Sequence, residues 1–269
     1  MASRYIELHT ASAFSFLQGA SLPEALVDRA AELGYPALAL VDRDGVYGAP
    51  RFHKAALAAG IKPIIGAELT IAGPSPFTRG REPRLEAEGQ RSSARAGGWA
   101  PPRSKESWLL SVLCESQEGY RNLSRLITTM KLRAPKGEGA LALEELEGLT
   151  RGLVAVVGRA ALDVRRYGVG GQLDRAVGLF GRDHVYVELQ RHFRRAEEAD
   201  NQALLSLAAA FRVPVVATGG VRFATPAERP LFDVLTCMYH HTNLAQAGRR
   251  QDACGTEHTA RVRECLRRC

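Results

Sequence analysis

The sequence lacks the features of a membrane or exported protein. It contains no run of about 18 apolar residues, the length that a membrane-spanning helix requires. Its first residues, Met1 to His9, also lack the apolar core of a signal peptide. We therefore expect a cytoplasmic protein that makes no contact with a membrane.

Cysteine is scarce, and no two cysteines form a Cys-x-x-Cys pair. Zinc sites of the finger type use closely paired ligands, so the spacing argues against one and favours reduced thiols. The segment from Gly45 to Gly48 lacks the Lys-Ser/Thr of a phosphate-binding P-loop, and no Gly-x-Ser-x-Gly nucleophile turn occurs. The five cysteines are Cys114, Cys237, Cys254, Cys265 and Cys269.

The net charge of +7 comes almost entirely from two segments. Residues 71–107 hold seven Lys or Arg against four Asp or Glu, and residues 248–269 hold six against three. The remainder is close to neutral and shows no dense basic stripe of the kind that binds nucleic acid. We expect this chain to meet DNA only indirectly.

The stretch from Gly34 to Glu68 predicts a strand, a loop, a helix and a second strand. The apolar run Ala37–Val41 is short and unbroken, as in a strand buried on both faces, and polar residues follow it from Asp42. A second strand, Ile61–Ile65, is followed in the same way by Glu68. In barrels of alternating strands and helices, this end of each strand carries the chemistry.

Two strand-helix-strand units at the start of the chain favour parallel pairing. The rest of the chain continues the alternation of strands and helices. Ser21 and Glu24 form a capping-box pattern that predicts a helix running to Leu33. The later predicted strands are Trp108–Cys114, Leu153–Val157, Val185–Leu189 and Val213–Ala217, and the later helices are Ala49–Ala59, Gln117–Leu132, Leu173–Leu179, Arg194–Phe211 and Pro226–Tyr239.

Two segments interrupt this pattern. Residues 71–107 are rich in Gly, Pro, Ser, Arg and Glu, and we interpret them as a mobile insertion because they cannot bury enough apolar surface. Residues 251–269 hold three cysteines and four arginines without apolar periodicity. This tail is either non-native, through a frameshift, or a genuine basic tail. One domain over residues 1–250 accounts for the rest.

Several stretches in order along the chain match one known family. They are residues 7–21 (Glu-Leu-His-Thr-Ala-Ser), 30–42, 59–68 (Ala-Gly-Ile-Lys-Pro-Ile-Ile-Gly-Ala-Glu), 118–128, 152–156, 186–190 and 213–219 (Val-Pro-Val-Val-Ala-Thr-Gly). These stretches resemble the N-terminal PHP (polymerase and histidinol phosphatase) domain of bacterial C-family DNA polymerases, above all the error-prone branch. The resemblance implies a distorted seven-stranded (β/α) barrel of the α/β class, packed against a polymerase core that lies outside this sequence.

Active members of that family hold metal ions with a His, Asp, Glu and Cys cluster, and the resemblance places those positions here. Only His9, Glu68 and Asp42 keep a competent donor, which implies a vestigial, unoccupied metal site and no cofactor. Zinc or manganese at a residual site is the alternative. The remaining family positions fall on Ala11, Gln18, Arg43, Leu109 (or Trp108), Arg159 and Arg222.

Arg43, Arg159 and Arg222 would converge on this pocket. They either form salt bridges with Asp42, Asp44 and Glu68 in place of metal, or they form an anion site. The first hypothesis is a non-catalytic PHP module with a structural role in an error-prone polymerase. The alternatives are a metal-dependent phosphoesterase or 3′-5′ exonuclease with a reduced site, to which His192 would add a ligand, and an anion-binding protein.

Overall fold

The computed structural model describes residues 5–72, 107–135, 139–162, 170–192 and 195–249. Within these ranges, seven strands form one sheet in the order of the chain. The strands are β1 (Glu7–Thr10), β2 (Ala37–Arg43), β3 (Lys62–Ile71), β4 (Trp108–Cys114), β5 (Leu153–Val157), β6 (Val185–Gln190) and β7 (Val215–Thr218).

Helices alternate with most of the strands and lie on the outside of the sheet. Short 3-10 turns occur at Leu143–Leu146, Arg159–Leu162, Arg182–His184 and Pro226–Glu228. The α-helices are α1 (Pro23–Glu32), α2 (Ala49–Ala58), α3 (Gln117–Leu132), α4 (Gly171–Phe180), α5 (Arg195–Phe211), α6 (Arg229–Tyr239) and α7 (Leu244–Arg249).

The sheet curls almost into a closed barrel. Val221, just beyond β7, forms a parallel bridge with Thr10. Its backbone amide donates to the carbonyl of His9, and its carbonyl accepts from the amide of Ala11, each over 2.9 Å. These bonds join the last strand to the first, so the predicted distorted seven-stranded barrel is confirmed.

The parallel pairing expected at the start of the chain is confirmed, and the sheet departs from it only further along, at β4. The pairs β1–β2, β2–β3, β5–β6 and β6–β7 are parallel, whereas β4 is antiparallel to both β3 and β5. Trp108 opens β4 opposite Ile71 at the end of β3, so β4 starts at the edge where β3 finishes. A parallel strand must instead return to the opposite edge. Pairing with β4 also carries β3 beyond its predicted end.

The core has an inner and an outer part. Inside the barrel, Ala39 and Val41 of β2 pack with Leu113 and Val156. The larger cluster lies between the outer face of the sheet and helices α3, α4 and α5. Because both faces of the central strands are buried, β2 shows the unbroken apolar run that its sequence has. Fully buried members of the outer cluster include Leu69, Leu110, Leu123, Leu173 and Leu204.

The capping-box prediction at Ser21 is wrong. Helix α1 has Leu22 as its N-cap and no side-chain cap, and Pro23 occupies its first turn. The fully buried hydroxyl of Ser21 donates to Oε2 of Glu228 over 2.7 Å instead. Proline at the first helical position starts a helix without a cap, because its missing N–H has no partner to lose there.

Two predictions fall outside the described residues. Most of the mobile insertion assigned to residues 71–107 falls on 73–106, and the whole tail 251–269 lies beyond Arg249. Both remain predictions, as does the single domain over residues 1–250. Among the described helices, none is long and apolar enough to cross a membrane.

Candidate functional site at the strand ends

A buried histidine bridges two buried glutamates at the carboxyl edge of the sheet. His9 lies near the end of β1, Glu68 lies in β3 and Glu188 lies in β6. Nε2 of His9 lies 2.8 Å from Oε1 of Glu68, and its Nδ1 lies 2.7 Å from Oε1 of Glu188. The exposed fraction of each residue is at most 7%. The imidazole therefore joins three strands in the interior.

Both ring nitrogens of His9 face carboxylate oxygens, and an imidazole donates from both only when it is protonated. Burial alone would lower the pKa of His9. Hydrogen bonds and charge attraction from Glu188 and Glu68 outweigh that effect and raise the pKa to about 10. At neutral pH, His9 is thus a buried cation.

Arg222 brings a second cation to Glu68. It follows β7, and its Nη2 lies 3.3 Å from Oε1 of the glutamate. Burial would raise the pKa of Glu68, but Arg222, His9 and Arg43 hold it well below its usual range. Hydrogen bonding and charge attraction from His9 likewise outweigh burial and lower the pKa of Glu188. Two ionised carboxylates therefore face two cations, and their charges balance.

The sequence reasoning missed Glu188, although it is central to the site. Besides His9, the hydroxyl of Thr218 donates to its Oε1, and the amide of Gln190 does so over 3.1 Å. The available signal was a single carboxylate inside the strand Val185–Gln190, which is otherwise largely apolar. A buried charge is retained only when it has partners, so such a residue indicates a polar site.

Glu7 is a further buried carboxylate that the sequence did not indicate. Its Oε2 accepts from the hydroxyl of Tyr5 and from the amide of Gly219, both over 2.7 Å. Its Oε1 accepts from the amide of His9 over 2.8 Å. Burial raises the pKa of Glu7 despite these bonds. Glu7 therefore fixes β1 against the segment that follows β7, directly beside the bridging histidine.

Asp42 has serine partners, so the expected salt bridge to an arginine is wrong for this residue. Its Oδ1 accepts from the amide of Ser12 over 2.8 Å, from the hydroxyl of Ser12 over 2.9 Å and from that of Ser15 over 2.8 Å. Successive side chains of a strand point to opposite faces, so the neighbouring Arg43 faces away from it. A Cβ at Gly48 would lie 2.6 Å from Oδ2, which shows how closely this carboxylate is enclosed. Asp42 anchors the loop after β1.

Arg43 is partly exposed and lies beside Asp44 and Thr70, which bond to each other. Its Nη1 donates to Gln18 over 3.2 Å and its Nε donates to Thr70 over 3.3 Å. Asp44 lies 3.6 Å from the same Nε and accepts from the amide of Thr70 over 2.7 Å. The predicted pairing of Arg43 with Asp44 is therefore present, and the positive charge of Arg43 also acts on Glu68.

Arg159 pairs with acidic residues of helix α5. Its guanidinium lies 3.2 Å from Asp200 and 3.4 Å from Glu197. Glu197 also accepts from the amide of His192 over 2.6 Å, and the ring of His192 reaches the carbonyl of Gly219 over 3.0 Å. The structure thus brings Arg43 and Arg222 to Glu68, and it pairs Arg159 and His192 with acidic residues of α5.

The implied metal centre can be tested against these donors. A metal ion needs a ring nitrogen with a free lone pair, and both nitrogens of His9 face carboxylates. The guanidinium of Arg222 stays protonated and lies against the same oxygen of Glu68. In the part of the chain that the structure describes, no group of three or more His, Cys, Asp or Glu side chains could hold a metal. The side chains as they stand do not fit a divalent ion.

Proteins similar in sequence carry the name error-prone DNA polymerase. One from Anaeromyxobacter sp. (strain K) is 37% identical over 262 residues, which cover 93% of this chain and 20% of the relative. One from Nocardia farcinica is 40% identical over 261 residues, covering 84% of this chain and 22% of the relative. The chain therefore spans only about a fifth of the length of these relatives.

Solved structures with a similar fold have much lower sequence identity. A protein of Bifidobacterium adolescentis assigned as a metal-dependent phosphoesterase has a TM-score of 0.54 at 14% identity, over 83% of this chain and 90% of its own. An amidohydrolase from Chromobacterium violaceum has a TM-score of 0.52 at 14% identity, over 83% of this chain and 88% of its own. These similarities support the barrel. The PHP domain profile matches residues 7–192, which is more than half of the sequence, and this chain belongs to the PHP domain family.

Proposed function

We propose that this chain is a non-catalytic PHP module of an error-prone DNA polymerase. Its role is structural, within an enzyme that copies damaged templates during replication and repair. The relatives named error-prone DNA polymerase support the polymerase context. Because the chain spans about a fifth of their length, nucleotide transfer is assigned to the remainder of such a polymerase.

The proposal depends chiefly on the contact of Glu68 with His9 and Arg222. A PHP phosphoesterase needs metal ions that lower the pKa of a bound water and neutralise a phosphoryl group. Here an imidazolium and a guanidinium occupy the positions beside Glu68, at 2.8 Å and 3.3 Å. Their positive charges balance the carboxylates of Glu68 and Glu188 without a metal, so the strand ends are held together while the hydrolytic chemistry is lost.

The proposed partner is the polymerase core. Arg222 already pairs with Glu68, and Arg159 pairs with Glu197 and Asp200, so the site offers little free positive charge to a DNA backbone. Contact with DNA therefore passes through the core.

A hydrolysis assay tests the loss of catalysis. Purified protein is incubated with a 3′-labelled single strand and manganese or zinc, beside a Glu68→Ala variant. We expect no metal-dependent cleavage by either protein. Cleavage by the wild type that disappears in Glu68→Ala would overturn the proposal and establish the phosphoesterase or exonuclease alternative with a reduced metal site.

A further inference from the structure

Helix α6 buries an ion pair and exposes three of its apolar side chains. Arg229 and Asp233 are each 9% exposed and form an ion pair, with Nε 2.8 Å from Oδ1. Cys237, one turn further along, is buried on the same side. Leu231, by contrast, is 50% exposed. A surface helix of a globular protein shows the opposite arrangement, with its apolar stripe toward the core and its charges in water.

The outward stripe is continuous. Leu231, Val234 and Met238 are spaced at three and four residues, so they lie on one face of the helix. They are 50%, 42% and 55% exposed. We call these three residues the α6 face. Single exposed apolar residues are ordinary, but an ordered stripe on a helix with a charged buried side marks a contact surface.

We propose that the α6 face is the surface on which this module docks against an apolar surface of the polymerase chain to which it belongs. The inference depends on the proposed function. It is supported by the length of the relatives, of which the matched region is only 20% to 22%. The remaining four fifths of such a chain is a covalently linked partner of sufficient size.

A second copy of the chain fits this surface less well. Three half-exposed side chains contribute less than the roughly 800 Å² per partner that a stable complex of separate proteins buries. A tethered partner avoids most of the entropy cost of association, so a small apolar contact is enough to hold it. The size of the α6 face therefore favours an intramolecular contact.

The test uses a full-length chimera in which this chain replaces the matching region of the Nocardia farcinica relative. Three forms are compared. They are the wild-type sequence, a triple variant that combines Leu231→Glu, Val234→Glu and Met238→Glu, and the control Leu57→Glu. Leu57 lies on α2 and is 60% exposed, so the control adds a charge at an equally accessible leucine elsewhere. Primer extension and the thermal unfolding midpoint are measured, and the isolated chains are unfolded in denaturant.

We expect the triple variant of the chimera to extend primers at least tenfold more slowly and to unfold at a lower temperature, while the control matches wild type. The isolated chains should all unfold at the same denaturant concentration. If the triple variant and wild type extend primers equally fast, the α6 face is not the docking surface, and the proposed function is unaffected. A wild-type chimera that folds but fails to extend primers would contradict both. Loss of self-association in the isolated triple variant, with no effect in the chimera, would identify a second copy as the occupant and overturn the proposal.

Discussion

Nη2 of Arg222 lies 3.3 Å from Oε1 of Glu68, the oxygen that also contacts the ring of His9. One carboxylate thus receives two cations in the interior of the barrel. Arg222 follows the last strand and Glu68 lies in the third, so the contact ties together strands that are distant in the sequence. These two cations therefore act as permanent parts of the structure.

Arg222→Met and Glu68→Gln should be coupled. Removing one partner of a buried ion pair leaves an uncompensated charge and typically costs about 3 to 5 kcal/mol. We expect each single substitution to approach the lower end of that range, because Arg222 is partly exposed, and the double substitution to cost less than the sum. Urea unfolding of the four proteins gives the coupling energy.

Arg125→Met is the matched control for this cycle, since Arg125 is an exposed arginine on α3. It should change the free energy of unfolding by less than about 0.5 kcal/mol. Additive effects of Arg222→Met and Glu68→Gln would contradict direct pairing. In that case Arg222 would be available to an anion, and the anion-site interpretation would gain support.

Glu188→Gln should lower the pKa of His9. The neutral amide still accepts a hydrogen bond but no longer stabilises the positive charge, so the proton on His9 is held less tightly. NMR titration of the His9 ring measures this change directly. Glu198→Gln, at an exposed residue of α5, should leave the titration unchanged. An unaltered His9 titration in Glu188→Gln would show that the pair is absent in solution.

The free energy of unfolding should fall at alkaline pH. The pKa of His9 rises from 6.5 in the unfolded chain to about 10 in the folded one. The folded state therefore binds this proton more tightly, and the resulting stability is complete below pH 6.5 and is lost as pH rises toward 10. Denaturant unfolding at pH 6 to 10.5 should show this loss, and His9→Gln should flatten it. If the free energy of unfolding of His9→Gln falls equally at alkaline pH, groups other than His9 cause the loss.

The free energy of unfolding should also fall at acid pH. The pKa values of Glu68 and Glu188 are lower in the folded state, so their contribution is present above about pH 4.5 and disappears below it. Burial raises the pKa values of Glu7 and Asp42, which act in the opposite direction. Unfolding from pH 6 to pH 3 should show a smaller loss in Glu68→Gln than in wild type. An equal loss would contradict the low pKa of Glu68.

Asp42→Ala should loosen the loop after β1 without altering the histidine site. The substitution leaves the buried amide and hydroxyl of Ser12 and the hydroxyl of Ser15 without their acceptor. We expect a cost of about 2 to 3 kcal/mol, near the penalty for buried groups that lose a charged partner. Asp28→Ala, at an exposed aspartate of α1, should be nearly neutral in the same unfolding experiment. A neutral Asp42→Ala would show that the serines find other partners.

The sequence predicted the elements well where local pattern decides the structure. The apolar run Ala37–Val41 and the amphipathic helix Gln117–Leu132 both appear as expected, although the strand continues to Arg43. The capping-box prediction at Ser21 failed, because the Ser21 hydroxyl bonds with Glu228, which lies 207 residues away. No local pattern reports such a contact.

The candidate site was likewise predicted only in part. The resemblance located His9, Glu68 and Arg222, whose positions follow family motifs. It did not locate Glu188, whose partner His9 lies 179 residues away. The salt-bridge interpretation paired Asp42 with an arginine, whereas the structure gives it two serines. Strand order and side-chain facing decide these partners, and both are properties of the closed sheet.

Manganese titration of the wild-type chain by calorimetry tests the central claim most directly. If His9 and Arg222 act as the cations of this site, the titration should show no saturable binding, and Glu68→Ala should behave identically. Stoichiometric binding by the wild type that is lost in Glu68→Ala would contradict the account, because a metal would then displace the cations beside Glu68.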